Sequence, residues 1–352
     1  MRTLLAYTVE RHTRTSRAGV WIAAFAVGLL VSLPLWGSSS LMRWMVEVIC
    51  FLVLAQMWNL LAGYGGLLSV GQQAFVGLGG YALFVFAQHL GVNPFLSIPL
   101  AGLTAALLAV PTAKVVFRLR GGYFAVGTWV VAEVFRIAVS NVALVGGGSG
   151  QSLTVMARFA KDTREQTTYW IACALLIASF GGVYLLLRSR FGLGLTAVRD
   201  SEAAAESQGV HVARLKFQVW VLSALGTGMV GALYYLNVLR IAPGSAFDLG
   251  WVVAAIFIVV IGGIGTLEGP ILGAAVFFGL RWLLADHGSW YWLVMGVVAI
   301  SVMVVFPKGI WGFAQQRFGW QLFPLKRRLQ VIHPETDTET NRGQGQAPQS
   351  SS

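Results

Sequence analysis

Charge is scarce in this chain. Asp, Glu, Lys and Arg make up 11% of its 352 residues, less than half of the ~25% usual in a soluble globular domain. So little charge cannot cover a water-facing surface, which excludes an ordinary soluble class. Cysteine is nearly absent. Cys50 and Cys173 each sit inside an apolar run, with no CxxC or His-rich company. That excludes a disulfide framework or a thiolate metal site and leaves two small core residues. The five histidines (12, 89, 211, 287 and 333) are scattered, and none falls near the middle of an apolar run, so no metal site is assigned. No chain of carboxylates suggests a proton relay. There is also no G-x-x-x-x-G-K-[ST] and no Gly-Lys pair anywhere. Without that phosphate cradle the chain is no P-loop ATPase.

What is present is apolar. Hydrophobic residues reach 56%, with 42 Gly and 21 Phe. This composition indicates an all-α, polytopic helical membrane protein embedded in lipid. The apolar runs predict about ten transmembrane or half-spanning helices, at residues 18–36, 42–62, a third ending near 90, 94–117, 122–142, 169–187, 217–239, 248–261, 271–285 and 290–306. The first run is long and is followed by no A-x-A site, so it reads as an uncleaved helix and not a signal peptide. Several runs fall short of the ~20 residues a straight span needs. The eighth and ninth are therefore candidates for half-helices that enter and leave on one side. Two glycine-rich segments, 63–80 (GYGGLLSVGQQAFVGLGG) and 262–270 (GGIGTLEGP), interrupt the pattern. They are read as breaks at membrane depth.

The formal net charge of +11 does not point to nucleic acid, because basic residues in a membrane protein collect on cytoplasmic loops. Placing the amino terminus inside and alternating puts about 18 of the 25 Lys and Arg on the inner side; the opposite orientation reverses the ratio. Both termini are then cytoplasmic. Trp36, Trp44, Trp170, Trp290 and Trp292 fall at outer ends, as interfacial anchors do. The organisation is a basic amino-terminal segment (1–17), a transmembrane domain (18–312) and a tail (313–352). The tail has nothing apolar to bury beyond about 333 and is expected to be disordered there.

Residues 188–216 form a polar island, RSRFGLGLTAVRDSEAAAESQGVHVARLK. Within it, 201–208 has helix formers, with Asp200 or Ser201 to cap the start and Gly209 to close the end. Glu202 and Glu206 share one face; Ala203, Ala204 and Ser207 leave a face of small side chains. So short a helix is not stable alone and suits a groove on another protein.

EAA followed by glycine on such a loop resembles the coupling loop of bacterial ATP-binding-cassette importers. Here four residues separate Ala204 from Gly209, where the general motif has three. The phrase LTAVRDSEAAAESQGVHVARLKF looks more like the branched-chain amino acid permease family, the LivM-type subunit. NLLAGYGGLLSVGQQAFVGLGGY, LRGGYFAVGTWVVAEVFR, VLSALGTGMVGALY, IGGIGTLEGPILGA and FPKGIWG agree with it. Together they cover most of 42–312. The resemblance implies a permease subunit in the bacterial inner membrane, importing branched-chain or related amino acids. It implies as partners a homologous LivH-type permease, two cytosolic ABC ATPases and an extracytoplasmic substrate-binding protein. It assigns coupling to Arg199, Asp200, Glu202, Ala203, Ala204, Glu206 and Gly209. Gln72 stands where the family usually has His, which leaves urea, short amides or another small polar solute open.

Candidates for the solute pathway are the polar residues at membrane depth: Asn59, Gln72 and Gln73, Glu133 with Arg136, and Gly262, Gly263 and Glu268. Glu133 and Arg136 lie three apart on one helix face. Each alone would cost ~2.5–3.5 kcal/mol at mid-bilayer; paired and turned inward they could orient a zwitterion. A structural ion pair, and close helix packing by the glycines, are the competing readings. Glu47 and Gln56, on the second run with Asn59, are further candidates for interhelical bonds or for the path. Two other functions are weighed. An ion-driven carrier lacks an evident relay. The G-x-S-G at 147–150 matches intramembrane serine proteases, but no histidine is placed to serve Ser149 as a base.

Overall fold

The computed structural model describes residues 6–10, 14–284, 290–318 and 328–332. Those residues are dominated by fourteen α-helices: α1 (Arg14–Ser32), α2 (Ser39–Asn59), α3 (Gln72–Phe84), α4 (Ser97–Val116), α5 (Gly122–Ser140), α6 (Lys161–Arg188), α7 (Arg190–Asp200), α8 (Glu202–Ser207), α9 (Val212–Val238), α10 (Pro243–Ala246), α11 (Gly250–Gly262), α12 (Gly269–Leu283), α13 (Trp290–Val305) and α14 (Gly309–Phe318). Two antiparallel ribbons complete them. β1 (Ala6–Glu10) pairs with β4 (Arg328–Ile332), and β2 (Gln151–Ser152) with β3 (Arg240–Ile241). The first ribbon, which no apolar pattern announced, sets the amino-terminal segment beside the carboxy-terminal one. The expected disorder beyond 333 lies outside the described residues.

Among the described residues, seven helical segments are long and apolar enough to cross a membrane, and Trp21–Leu35 and Gly269–Leu283 are shorter apolar helices. With α3, these account for the ten runs in the sequence. The chain is an all-α, multi-pass membrane protein. The half-helix expectation meets α11 and α12, of 13 and 15 residues. At 1.5 Å per residue α12 spans about 22 Å, short of the ~30 Å hydrocarbon layer, but α11 continues α10 in the 20-residue segment Pro243–Gly262, one of the seven long enough to cross, so the half-helix expectation fits α12 alone.

The core forms where α9 lies against α2, α3 and α4. Glycine makes that packing possible. A Cβ on Gly79 would stand 2.0 Å from the Gly228 carbonyl, and one on Gly231 would stand 2.0 Å from the Val76 carbonyl. The two backbones therefore touch directly, as small residues allow in membrane helices. This corrects the reading of 63–80 as one break. Helix resumes at Gln72, so Gly77, Gly79 and Gly80 pack inside α3, and the irregular chain is confined to 65–71. At the centre Trp220 meets Phe75, Phe117 and Phe124 edge-on and donates its indole N–H to the Ala109 carbonyl (3.1 Å). Cys50 and Cys173 are free and buried in this core.

Two elements reach past the predicted apolar runs. The polar stretch 158–168, which precedes the run at 169–187, is not outside the helices throughout. From Lys161 it is the start of α6, whose 28 residues reach about 42 Å, so its polar first turns stand beyond the apolar layer. There Glu165 is buried and accepts from Arg43 Nη1 at 2.6 Å, tying α6 to α2. The island also holds a second helix, α7. Two glycines obscured it, but Leu195 and Val198, three apart, give it a buried face.

Candidate functional site: the polar loop against two broken helices

α8 forms as its residues require. Ser201 Oγ accepts from the Ala204 N–H at 3.3 Å. At the other end Gly209 N–H donates to Glu206 O (2.9 Å) and Val210 N–H to Ala205 O (3.1 Å). This double closure needs a left-handed residue, and Gly209 has φ +81°. Ala205 turns in to pack with Val198 and Val212, so α7, α8 and the start of α9 share a small apolar centre. Ala203, Ala204, Glu206 and Ser207 are exposed on the opposite face. Glu202 accepts from Lys216 Nζ (2.5 Å), bracing α8 to α9. α8 is thus a firmly mounted knob with a small-residue surface.

α7 carries the knob's connection inward. Arg199 Nε donates to the neighbouring Asp200 (3.1 Å), while Nη1 donates to the Gly63 carbonyl (3.0 Å). Gly63 lies in a π-helical turn, Leu60–Tyr64, that ends α2; such turns free carbonyls from the regular ladder. One turn earlier Asn59, fully buried, holds the second break. Its Oδ1 accepts from Gly265 N–H and its Nδ2 donates to Thr266 O, both at 2.8 Å. The close approach is specific to glycine, since a Cβ on Gly63 would meet Asn59 Oδ1 at 2.2 Å and the Gly265 nitrogen at 2.6 Å. Gly262 closes α11, Gly263 (φ +134°) starts the turn, and Gly309 at the start of α14 lies against Gly263. Glu268 is buried where α12 begins. Arg199, Asn59, Gly262, Gly263 and Glu268 are therefore gathered at one end of the helices, where loop, α2, the α11–α12 turn and α14 meet.

The remaining candidates stand apart. Gln72 is buried between α3 and α9: its Nε2 donates to Ser223 Oγ (3.3 Å) and its Oε1 accepts from Thr227 (2.9 Å). Gln73 is buried, and its Oε1 has no hydrogen-bond partner among the described residues. Glu133 and Arg136 pair along α5 through Nε, at 2.9 Å to both carboxylate oxygens, and through Nη2. They are not turned inward: their side chains are 41% and 36% exposed, on a helix whose surface is largely uncovered. α5 also holds the first break, because Thr128 Oγ1 accepts from the Val70 N–H (3.0 Å). Gly63, Thr128, Gly265 and Thr266 belong to the assembly but were not singled out by sequence. Their contributions are backbone groups or a hydroxyl, and only the glycine richness of the segments hinted at them.

A multi-helical membrane body whose polar loop is bonded through Arg199 to the end of a broken helix suits a transport subunit. Residues 40–307 match the family model described as "Branched-chain amino acid transport system / permease component", and the chain belongs to that family. It is 28% identical over 286 residues to the high-affinity branched-chain amino acid transport system permease protein LivM of Salmonella typhimurium, covering 74% of this chain and 67% of that one. To the protein of the same name in Escherichia coli it is 27% identical over 316 residues, covering 81% and 74%. The fructose import permease protein FrcC of Rhizobium meliloti is 25% identical over 253 residues, covering 68% and 69%. No solved structure matches the chain.

Proposed function

We propose that this chain is a translocating subunit of an ATP-driven importer of branched-chain or related amino acids in a bacterial inner membrane. The loop end faces the cytoplasm, with both termini on that side, and α8 seats in a cleft of one of two partner ABC ATPases. ATP-driven closure of the motors moves α7 and α8 together, because they share the apolar centre of Val198, Ala205 and Val212. The observation that carries this reading is the bond from Arg199 to the Gly63 carbonyl. It joins the lever to the end of α2 and, through Asn59, to the α11–α12 turn. Broken helices at membrane depth persist where they are buried in protein or line a cavity, so shifting these turns is a route for opening the path. α5 presents the Glu133–Arg136 pair to the homologous, LivH-type permease subunit. A charged pair 41% and 36% exposed is costly against lipid and suits a wet interface between two permeases. An extracytoplasmic binding protein delivers the solute. The chain itself binds no cofactor; ATP serves the partners.

The test is a pair of substitutions on the exposed face of α8, Ala203→Glu with Ala204→Arg. Both sites are open, so folding tolerates the change. ATP-dependent uptake should be lost while the binding protein's affinity for solute stays the same; unchanged uptake would sink the reading. The resemblance to a fructose permease keeps a second solute class in view. Competition of labelled leucine uptake by urea, short amides and fructose decides it.

A further inference from the structure

At the end of the helices opposite the loop, a cavity of about 450 Å³ opens between α2, α9, α11 and α12. Its size falls within the range of small-molecule sites. One wall is aromatic: Phe51 stacks on Trp251 at 5.0 Å, Tyr234 meets Trp251 edge-on at 4.7 Å, and Phe277 completes the surface. The rim is charged. Arg281 Nη1 donates to Glu47 Oε1 at 2.7 Å, and Asp248 stands on the same cavity, its Oδ1 accepting from the Gly250 N–H at the start of α11. The ion pair is open, with the Arg281 and Glu47 side chains 45% and 21% exposed. It is not needed to fill a hole in the core. Open charge over an aromatic wall is a costly face to turn to hydrocarbon.

We infer that this cavity is a binding site for a zwitterionic α-amino acid with an apolar side chain. The Arg281 fork takes the carboxylate, which planar guanidinium groups hold through two parallel bonds. Glu47 and Asp248 take the ammonium, and the rings of Phe51, Trp251 and Phe277 take the side chain. The placement relates the site to the lever. Glu47 and Asn59 lie twelve residues apart on one helix, about 18 Å along its axis. α11 and α12, which line the cavity, are joined at their far ends by the turn that Asn59 holds. A shift of that turn relative to α2 changes the separation of Arg281 from Glu47. Glu47 stood out as a polar residue of the second run, but nothing in the sequence joined it to Arg281, 234 positions away.

The inference rests on the amino acid import reading, and its test separates the two. The complete transporter, purified through a tag on this chain and placed in nanodiscs without the binding protein, is titrated with radiolabelled leucine by scintillation proximity. Saturable binding is expected. Leucinamide, which lacks the carboxylate, and 4-methylpentanoate, which lacks the ammonium, should compete roughly tenfold less well, the loss that follows from removing a charged hydrogen bond. The exchange Glu47→Arg with Arg281→Glu preserves a pair between α2 and α12, so a purely structural pair would leave binding unchanged. The site instead predicts a loss of about tenfold, because Asp248 then repels the relocated carboxylate end. Trp251→Ala should weaken leucine binding and spare the preference over the amide. Equal competition by all three ligands, or leucine binding indifferent to the exchange, overturns the site. Normal ATP-driven leucine uptake without saturable binding overturns the site and spares the import reading; saturable binding without uptake does the reverse.

Discussion

Replacing Asn59 with Leu removes two hydrogen bonds at once while keeping the branched skeleton of the side chain. Those bonds, both 2.8 Å, are all that the Asn59 side chain makes to the α11–α12 turn. Side-chain hydrogen bonds inside membrane proteins average about 0.6 kcal/mol, so the pair contributes about 1.2 kcal/mol. The Gly265 N–H and Thr266 carbonyl, on half-buried residues, would also lose their partner, which adds up to about 1–3 kcal/mol each. A total of even 1–2 kcal/mol changes a two-state population by a factor of about 5–30. In proteoliposomes holding the complete transporter, uptake and ATP hydrolysis are measured in the same vesicles. The Leu variant should hydrolyse ATP while its uptake per ATP falls fivefold or more. Asn59→Asp keeps the acceptor for Gly265 and loses the donor to Thr266, so it should fall in between. An assembled Leu variant with uptake per ATP equal to the unaltered chain would refute the claim that the turn carries the stroke.

Gly79→Ala drives a methyl group into the Gly228 carbonyl, so assembled protein and melting temperature should drop sharply in detergent, whereas Gly181→Ala, with none of the described residues within 4 Å of the added methyl, should melt like the parent. Gly209→Val forces a β-branched residue to φ +81°, at a cost of at least ~1–2 kcal/mol. It should loosen α8 and cut uptake more than it cuts the amount of folded protein. Arg43→Ala strands the buried carboxylate of Glu165, costing about 1.5–3 kcal/mol; adding Glu165→Gln should recover much of the lost melting temperature.

Most membrane helices were legible because their apolar runs are bounded by polar or glycine-rich stretches, and the lever helix because Ser201 and Gly209 are cap residues in the right places. α7 was hidden by Gly192 and Gly194, which weaken a helical pattern although Leu195 and Val198 still mark its buried face. Glycine-rich stretches were ambiguous in principle. The same residue permits a break, as at 65–71, and a backbone contact, as at Gly79, and only the neighbouring helix decides which. Asn59 and Arg199 stood out as polar residues in telling positions, but their partners are main-chain atoms that any sequence could supply. Glu133 and Arg136 were paired as their spacing implies; the direction they face depends on which helices cover α5, and spacing carries no record of that.

The central claim is that the chain is a conduit worked from outside through its loop. It is tested most directly by reconstituting the purified chain in liposomes, alone and then with its ATPases, second permease and binding protein, and following labelled leucine. No uphill accumulation is expected from the chain alone, and ATP-dependent accumulation from the full set. Accumulation against a gradient by the chain alone would contradict the account.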